Sequence, residues 1–241
     1  MALNLALTII IPLYNEEESL VKLGAEMDAF LNQLQPDCGR VLFVNDGSSD
    51  GSLKIIEDIC RQDERYAFIS LDRNHGLSTA IKAGIDHCRT PLVGYIDADM
   101  QTIPADFGKF LQFLPEYDMV NGIRAKRQDS IIKKISSKIA NSLRRLLIND
   151  RIVDTCCPLK IIKLEYAQKI PFFTGMHRFL PALVQLQHGR VKQVPVSHFP
   201  RFAGTAKYNL WNRLLGPFFD LLAFIWMRRR YINYRISQQS K

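Results

Sequence analysis

Through its first half the chain alternates short apolar runs with segments whose apolar residues recur at helical spacing. Leu7–Leu13 reads as a strand, and Glu16–Leu34 as a helix carrying Leu20, Leu23, Met27, Phe30, Leu31 and Leu34 on one face. Val41–Val44, Ala67–Leu71 and Leu92–Ile96 read as further strands, with helices over Gly51–Asp63 and Leu77–Cys88 between them. Strands separated by helices of this length build βαβ units, hence a parallel sheet covered on both faces. After Pro115 the rhythm changes. Asp118–Gly122 and Val191–Val196 read as strands, and Ser130–Ile148 as an amphipathic helix with Ile132, Ile135, Ile139, Leu143 and Leu146 on its apolar side. No internal repeat or low-complexity segment interrupts the chain.

The longest apolar stretch, Leu214–Met227, is broken by Pro217 and Asp220. As a helix it spans about 21 Å, short of a bilayer core about 30 Å thick. The expectation is therefore no transmembrane helix but a segment that packs in the core or lies at a membrane interface. Trp211, Trp226 and the run Arg228-Arg229-Arg230 suit an interface. The formal charge of +8 is concentrated there and between Arg124 and Arg151. Such patches attract nucleic acid, anionic headgroups or phosphorylated substrates, or form a solvated face. Met1–Leu7 lacks the charged start of a signal peptide. Five cysteines, including the vicinal pair Cys156-Cys157 and no C-x-x-C, argue for a reducing compartment and against a disulfide framework or zinc site.

Candidate chemistry gathers where strands end, which in an open parallel sheet is where ligands bind. Asp97-Ala98-Asp99-Met100-Gln101 follows the fourth strand. Two carboxylates one residue apart are costly to bury unpaired. At the mouth of a sheet they either cap the helix beginning near Ile103-Pro104 or offer hard oxygen ligands to Mg²⁺ or Mn²⁺. Pro12-Leu13-Tyr14-Asn15-Glu16 closes the first strand, where Tyr14 can stack on a base while Asn15 and Glu16 reach a ribose or cap a helix. Asn45-Asp46-Gly47-Ser48-Ser49-Asp50 closes the second, with Asp46 a candidate nucleobase or ribose contact as well as part of an N-cap sequence. Asn74-His75-Gly76 reads as a structural turn. His177-Arg178 opens a helix, either as a surface start or as a contact to an acceptor phosphate.

These segments, with Gly122-Ile123-Arg124 and Arg201-Phe202-Ala203-Gly204-Thr205-Ala206-Lys207-Tyr208, resemble the family 2 glycosyltransferases over about residues 7–210. The nearest similarity is to the polyprenyl-phosphate group that contains dolichol-phosphate mannose synthase. The resemblance implies a GT-A fold, an α/β architecture with a Rossmann-like, mostly parallel sheet. It also implies a GDP- or UDP-sugar donor, a divalent Mg²⁺ or Mn²⁺, inversion at the anomeric carbon and a polyprenyl phosphate acceptor. Residues 1–115 would form the nucleotide-sugar half, 116–210 the acceptor half, and 211–241 a basic amphipathic tail. Carried over by position, Pro12, Tyr14, Glu16 and Asp46 would hold the nucleoside, and Asp97 the ribose or the metal shell. Asp99 and Gln101 would ligate the metal. Arg124 and Arg201 would clamp phosphates with Lys207 assisting, and Asp154 would be an acidic residue near the reacting sugar. The catalytic set would thus be Asp97, Asp99, Asp154 and Arg201. Attachment would be peripheral, at the cytoplasmic face of a membrane, with a homo-oligomer allowed.

Chemistry bears on the acceptor independently. A phosphate is already an anion and needs guanidinium groups more than a base, whereas a hydroxyl on a lipid or polysaccharide needs a base such as Asp154. The pattern departs from the family at Asn45, where an Asp is common, and at Ala206, where a Ser is usual. The segment from Asp154 to Lys160 matches poorly. A nucleic-acid-binding protein would account for the charge but leaves Asp97, Asp99 and Gln101 unexplained, so no nucleic-acid partner is expected.

Overall fold

The computed structural model describes residues 6–35, 37–124, 147–148, 150–202, 210–232 and 237–238. Seven strands form one sheet: β1 (Leu7–Leu13), β2 (Gly39–Asn45), β3 (Tyr66–Ser70), β4 (Leu92–Tyr95), β5 (Met119–Arg124), β6 (Lys160–Lys163) and β7 (Val191–Val196). Their order is β3-β2-β1-β4-β6-β5-β7. Pairings β1–β2, β1–β4, β2–β3 and β5–β7 are parallel, whereas β6 runs antiparallel to both β4 and β5. Every strand except β6 therefore points the same way and delivers its C-terminal end to one edge.

β1 shows why the pattern reads as a continuous apolar run rather than an alternating one. Ile9 and Ile11 face a core built with Leu20, Leu23, Met27 and Phe30 of helix α1 (Glu17–Leu31) and Ile56 of α2 (Ser52–Gln62). Ile10 faces the other way, onto Ala80, Ile81 and Ile85 of α3 (Leu77–His87). A strand covered on both faces has no wet side, so each position is apolar. Helix α3 approaches closely because Gly84 carries no side chain, and a Cβ there would lie 2.6 Å from Ile10 Cγ2.

The second core continues under β4 and β6 to α4 (Leu180–Leu186) and to the long C-terminal helix α5 (Leu210–Arg228). Leu221 and Phe224 of α5 are buried there, and the Phe224 ring stacks on Phe179 with centroids 4.8 Å apart. The helix begins four residues earlier than the apolar stretch suggests and carries Pro217 inside it. Among the described residues no helix is long and apolar enough to cross a membrane. Strand β6 escapes the sequence pattern, because Ile161-Ile162 between two lysines is too short to show a period. The amphipathic helix expected over Ser130–Ile148 lies outside the described residues except at Leu147 and Ile148.

Gly84→Ala places a methyl against Ile10 and is expected to cost about 1–3 kcal/mol in urea denaturation. Adding Ile10→Val removes the Cδ1 methyl, 2.9 Å from the same point, and lets the remaining branch shift, so the double variant should recover part of the loss.

Candidate active site

The parallel strands place the polar segments together. β1 ends at Leu13 and leads into Tyr14–Glu16, β2 ends at Asn45 before Asp46, β4 ends at Tyr95 before Asp97, and β5 ends at Arg124. The reversed strand adds its start to the same edge, where Lys160 sits in register with Tyr95 on one side and Asn121 on the other. β7 ends at Val196, and the following segment is stitched along the acid loop. Ser197 N–H donates to Asp106 Oδ2 at 2.6 Å, Phe199 N–H to the Gln101 carbonyl at 2.9 Å, and Phe202 N–H to the Asp99 carbonyl at 3.4 Å.

That stitching brings Arg201 to the acid pair. Its Nη2 lies 3.0 Å from Asp99 Oδ2, and its Nη1 lies 3.7 Å from Glu16 Oε1. One guanidinium thus spans the loops after β1 and β4. Asp99 is buried, and its Oδ1 accepts the Gln101 backbone N–H at 3.1 Å. Asp97 Oδ1 accepts the hydroxyl of Tyr95 at 2.5 Å. Burial, and then the like charge of Asp99, push the Asp97 carboxyl up to about 6, against the Tyr95 hydroxyl and the nearby cations Lys160 and Arg124. Met100 between them adopts φ +58°, a left-handed conformation costing a non-glycine residue about 1–2 kcal/mol. Its side chain is buried, which offsets that strain.

The loop after β2 is held from below. Asp46 is buried, and its two oxygens accept the backbone N–H groups of His75 and Gly76 at 2.8 Å each. Asn45, also buried, donates its amide to Ser70 Oγ at 2.8 Å and accepts the Ser48 N–H at 3.0 Å. Gly47 has φ +69°, and a Cβ there would fall 2.3 Å from the Arg73 backbone, so only glycine fits. Asn15, at φ +52°, joins this loop to the first: its N–H donates to Ser48 Oγ and its Oδ1 accepts the Ser49 N–H at 2.8 Å.

Arg124 and Asp154 meet each other. Two guanidinium N–H groups donate to the two carboxylate oxygens at 2.8 and 2.9 Å, and the pair is largely buried. Despite burial, these bonds and the Arg124 charge hold the Asp154 carboxyl below the usual aspartate range. Beside them Lys160 is wholly enclosed, donating to the carbonyls of Thr155 and Cys157. Burial lowers its ammonium below the ordinary lysine range. Sequence reasoning passed over Lys160. The available signal was a charged residue inside the apolar run Leu159–Ile162.

Of the expected site residues, the structure brings Glu16, Asp97, Asp99, Arg124, Asp154 and Arg201 to one edge, with Asp46 at the neighbouring strand end. Pro12 is buried within β1 and Tyr14 half-buried just beyond it. Lys207 lies outside the described residues. His177 is bonded within the protein, its Nδ1 2.8 Å from Ser78 Oγ, which also accepts the Gly175 N–H at 3.1 Å. Ser78 therefore donates to Nδ1. Burial, with the positive charges of Arg178 and Lys160, pushes His177 down to about 3, leaving a neutral imidazole.

Among the described residues no three His, Cys, Asp or Glu side chains converge as a ready metal cage. What the edge offers is one buried carboxylate, Asp99, followed two residues later by the amide of Gln101. Magnesium-type ions fit such a sparse donor set, since they commonly take one or two protein oxygens and complete their shell with substrate phosphates and water.

A sequence-family profile, glycosyl transferase family 2, matches residues 8–171. The chain is 30% identical over 217 residues to the undecaprenyl-phosphate 4-deoxy-4-formamido-L-arabinose transferase of Pectobacterium carotovorum, covering 89% of this chain and 66% of that one. It is 30% identical over 232 residues to the dodecaprenyl-phosphate galacturonate synthase of Rhizobium johnstonii, covering 94% and 68%. The chain thus spans about two thirds of the length of these relatives. Glucosyl-3-phosphoglycerate synthase from Mycobacterium tuberculosis, solved with Mn²⁺, UDP and its glucosylated product, shares the fold. Its TM-score is 0.70 at 12% identity, over 95% of this chain and 81% of that one.

Asp154→Asn leaves Arg124 buried without its counter-charge and is expected to lower stability by about 3–5 kcal/mol in urea denaturation. Replacing both, as Arg124→Met with Asp154→Leu, should recover much of that loss. His177 supplies a pH signature. An unfolded histidine titrates at about 6.5, whereas the folded one holds off protonation until about 3. The unfolded chain therefore takes up the proton first, and stability falls as pH drops below about 6.5. His177→Gln should flatten that decline between about pH 6.5 and 4.5; Asp97, raised to about 6, acts in the opposite direction in both proteins and cancels in the comparison.

Proposed function

The chain belongs to glycosyl transferase family 2, and from that premise we propose that it moves a sugar from a GDP- or UDP-sugar to a polyprenyl phosphate. The observation that carries this reading is the Arg201 bridge between Asp99 and Glu16. It sets a cation between the loop suited to a nucleoside and the acid pair suited to a metal, where a sugar donor's pyrophosphate would lie. The similarity to two polyprenyl-phosphate sugar transferases supports the acceptor class.

In this reading Tyr14, Glu16 and Asp46 border the nucleoside, with Pro12 behind them in the strand. Asp99 and Gln101 hold Mg²⁺ or Mn²⁺, and Asp97 stands beside them toward the ribose or the metal shell. When bound, the ion neutralises charge growing on the departing diphosphate. Arg201, which bonds Asp99 here, would bind the same phosphates, with Lys207 assisting. An oxygen of the acceptor phosphate forms a bond to the anomeric carbon as the bond from that carbon to the nucleoside diphosphate breaks. The diphosphate leaves with the electron pair, and the anomeric centre inverts. Preorganised cations facing that developing charge are worth about 2.7–4 kcal/mol for each donor.

The Arg124–Asp154 pair favours a phosphate over a hydroxyl acceptor. A carboxylate bonded twice to an arginine and held below its usual range is a weak general base. An acceptor already anionic requires no such base. In this scheme Asp154 positions Arg124, and Arg124 with Lys160 partly offsets the charge of Asp97.

The test is incubation with radiolabelled GDP- and UDP-sugars, polyprenyl phosphate and Mn²⁺. Label should pass into the organic phase and be released by mild acid, as a sugar on a polyprenyl phosphate is. An acid-stable product, or label retained in the nucleotide sugar with every donor, rejects the reading. Asp99→Asn should lower turnover about 100-fold or more and abolish the Mn²⁺-dependent gain in nucleoside diphosphate affinity measured by calorimetry.

A further inference from the structure

Helix α5 has two unlike sides. On one, Leu221 and Phe224 are buried against the second core, and Asp220 meets Arg178 Nη1 at 2.6 Å. On the other, Phe218 and Leu222 are each 45% exposed, and Phe219 and Trp226 each 63% exposed. Leu222 lies three or four residues from each of Phe218, Phe219 and Trp226, so these four share a stripe that holds no charge along its length. The stripe ends at Arg229 and Arg230, both exposed. With Leu222, Ile225 and Trp226 these two arginines line an open groove of about 560 Å³. The Arg230 guanidinium lies 5.3 Å from the centre of the Trp226 ring.

We propose that this face of α5 is a docking surface for an anionic phospholipid bilayer. The four apolar side chains enter the headgroup–acyl boundary, while Arg229 and Arg230 engage lipid phosphates at its edge. An amphipathic helix with aromatic residues on one side and arginines at its rim is built to lie in that plane, and the Trp–Arg pair places an amphipathic ring and a cation at headgroup depth. The helix cannot be surrounded by lipid, because its other side is fastened to the protein through Phe224, Phe179 and the Arg178–Asp220 pair.

Charge selects a lipid over a second copy of the chain. Asp220 is the one acid between residue 201 and residue 241 in the sequence, and it already faces Arg178. A second copy would bring arginines to arginines, with no carboxylate on this face to answer them, whereas a phosphatidylglycerol surface supplies the missing anions. Not all of the arginine run takes part. Arg228 turns back to donate to the carbonyls of Ile148 at 2.7 Å and Leu147 at 3.3 Å, which leaves Arg229 and Arg230 for the partner.

Flotation of the full chain with phosphatidylcholine vesicles, with and without phosphatidylglycerol, tests the inference independently of sugar transfer. The chain should float with the anionic vesicles and be released by salt. Arg229→Gln with Arg230→Gln should reduce partitioning about 30-fold, two cations at about fivefold each. Phe219→Glu with Trp226→Glu should abolish it. The urea denaturation midpoints of both double variants should match the parent, showing an intact fold. Equal flotation of the parent and both double variants overturns the proposal. So does a parent that stays with the aqueous phase but sediments as a dimer dissociated by Phe219→Glu with Trp226→Glu, which would make a second copy the occupant.

Discussion

Buried like charge is the constraint from which the rest of this molecule follows. Asp97 and Asp99 leave the sheet one residue apart, and burial together with the charge of Asp99 pushes the Asp97 carboxyl up to about 6. The fold answers with cations from distant parts of the chain. Arg201 arrives from the segment after β7, Lys160 from the start of the reversed strand, and Arg124 from the end of β5, itself anchored by Asp154. None of these partners is close in sequence to the acids. The sheet order β4-β6-β5-β7 is what lets them meet, and it sets a cluster of opposed charges at the edge where six strands end.

In the proposed function the same arrangement would serve a phosphate. A cation that neutralises a carboxylate would be available to a phosphate if a divalent ion bound that carboxylate. Arg201 stands in that relation to Asp99. Arg124 is held more firmly, by two hydrogen bonds in a buried pair, and so is a fixed group rather than a movable contact. The loops after β1 and β2 are similarly rigid. Asn15, Ser48 and Ser49 tie them together, while Asp46 fastens the turn at His75 and Gly76 beneath them. Rigid loops around the proposed metal site would fit a reaction whose catalysis is mostly positioning and charge stabilisation.

The second half of the chain joins this site to a surface. Gly175 and His177 are bonded to Ser78 in the first turn of α3, and the neighbouring Arg178 and Phe179 hold α5. A helix with exposed aromatic residues is thereby fixed to the wall of the catalytic domain instead of trailing from it. For an enzyme whose acceptor is a lipid, that connection would keep the mouth of the site at a constant height above the bilayer.

The alternation of strands and helices up to Tyr95 was legible in the sequence because each element is covered by its neighbours and carries a full apolar period. The strand-end motifs were legible too, since polar, turn-forming residues directly after an apolar run have few other places to go. Glu16, Asp46, Asp97 and Asp99 could be singled out as candidates from those segments, whereas Arg201 came only from the family resemblance. What the sequence could not convey was pairing. β6 is four residues long and flanked by lysines, so it has no readable period, and with it Lys160 went unseen. Arg124 and Asp154 looked like separate tools for phosphate and sugar, but thirty residues apart along the chain they form a single ion pair. The residues from Arg228 to Arg230 looked alike, yet the fold turns the first inward to backbone carbonyls and leaves the other two exposed. Periodicity and turn chemistry are local and survive in one dimension. Which charge neutralises which depends on distances that exist only once the sheet has closed.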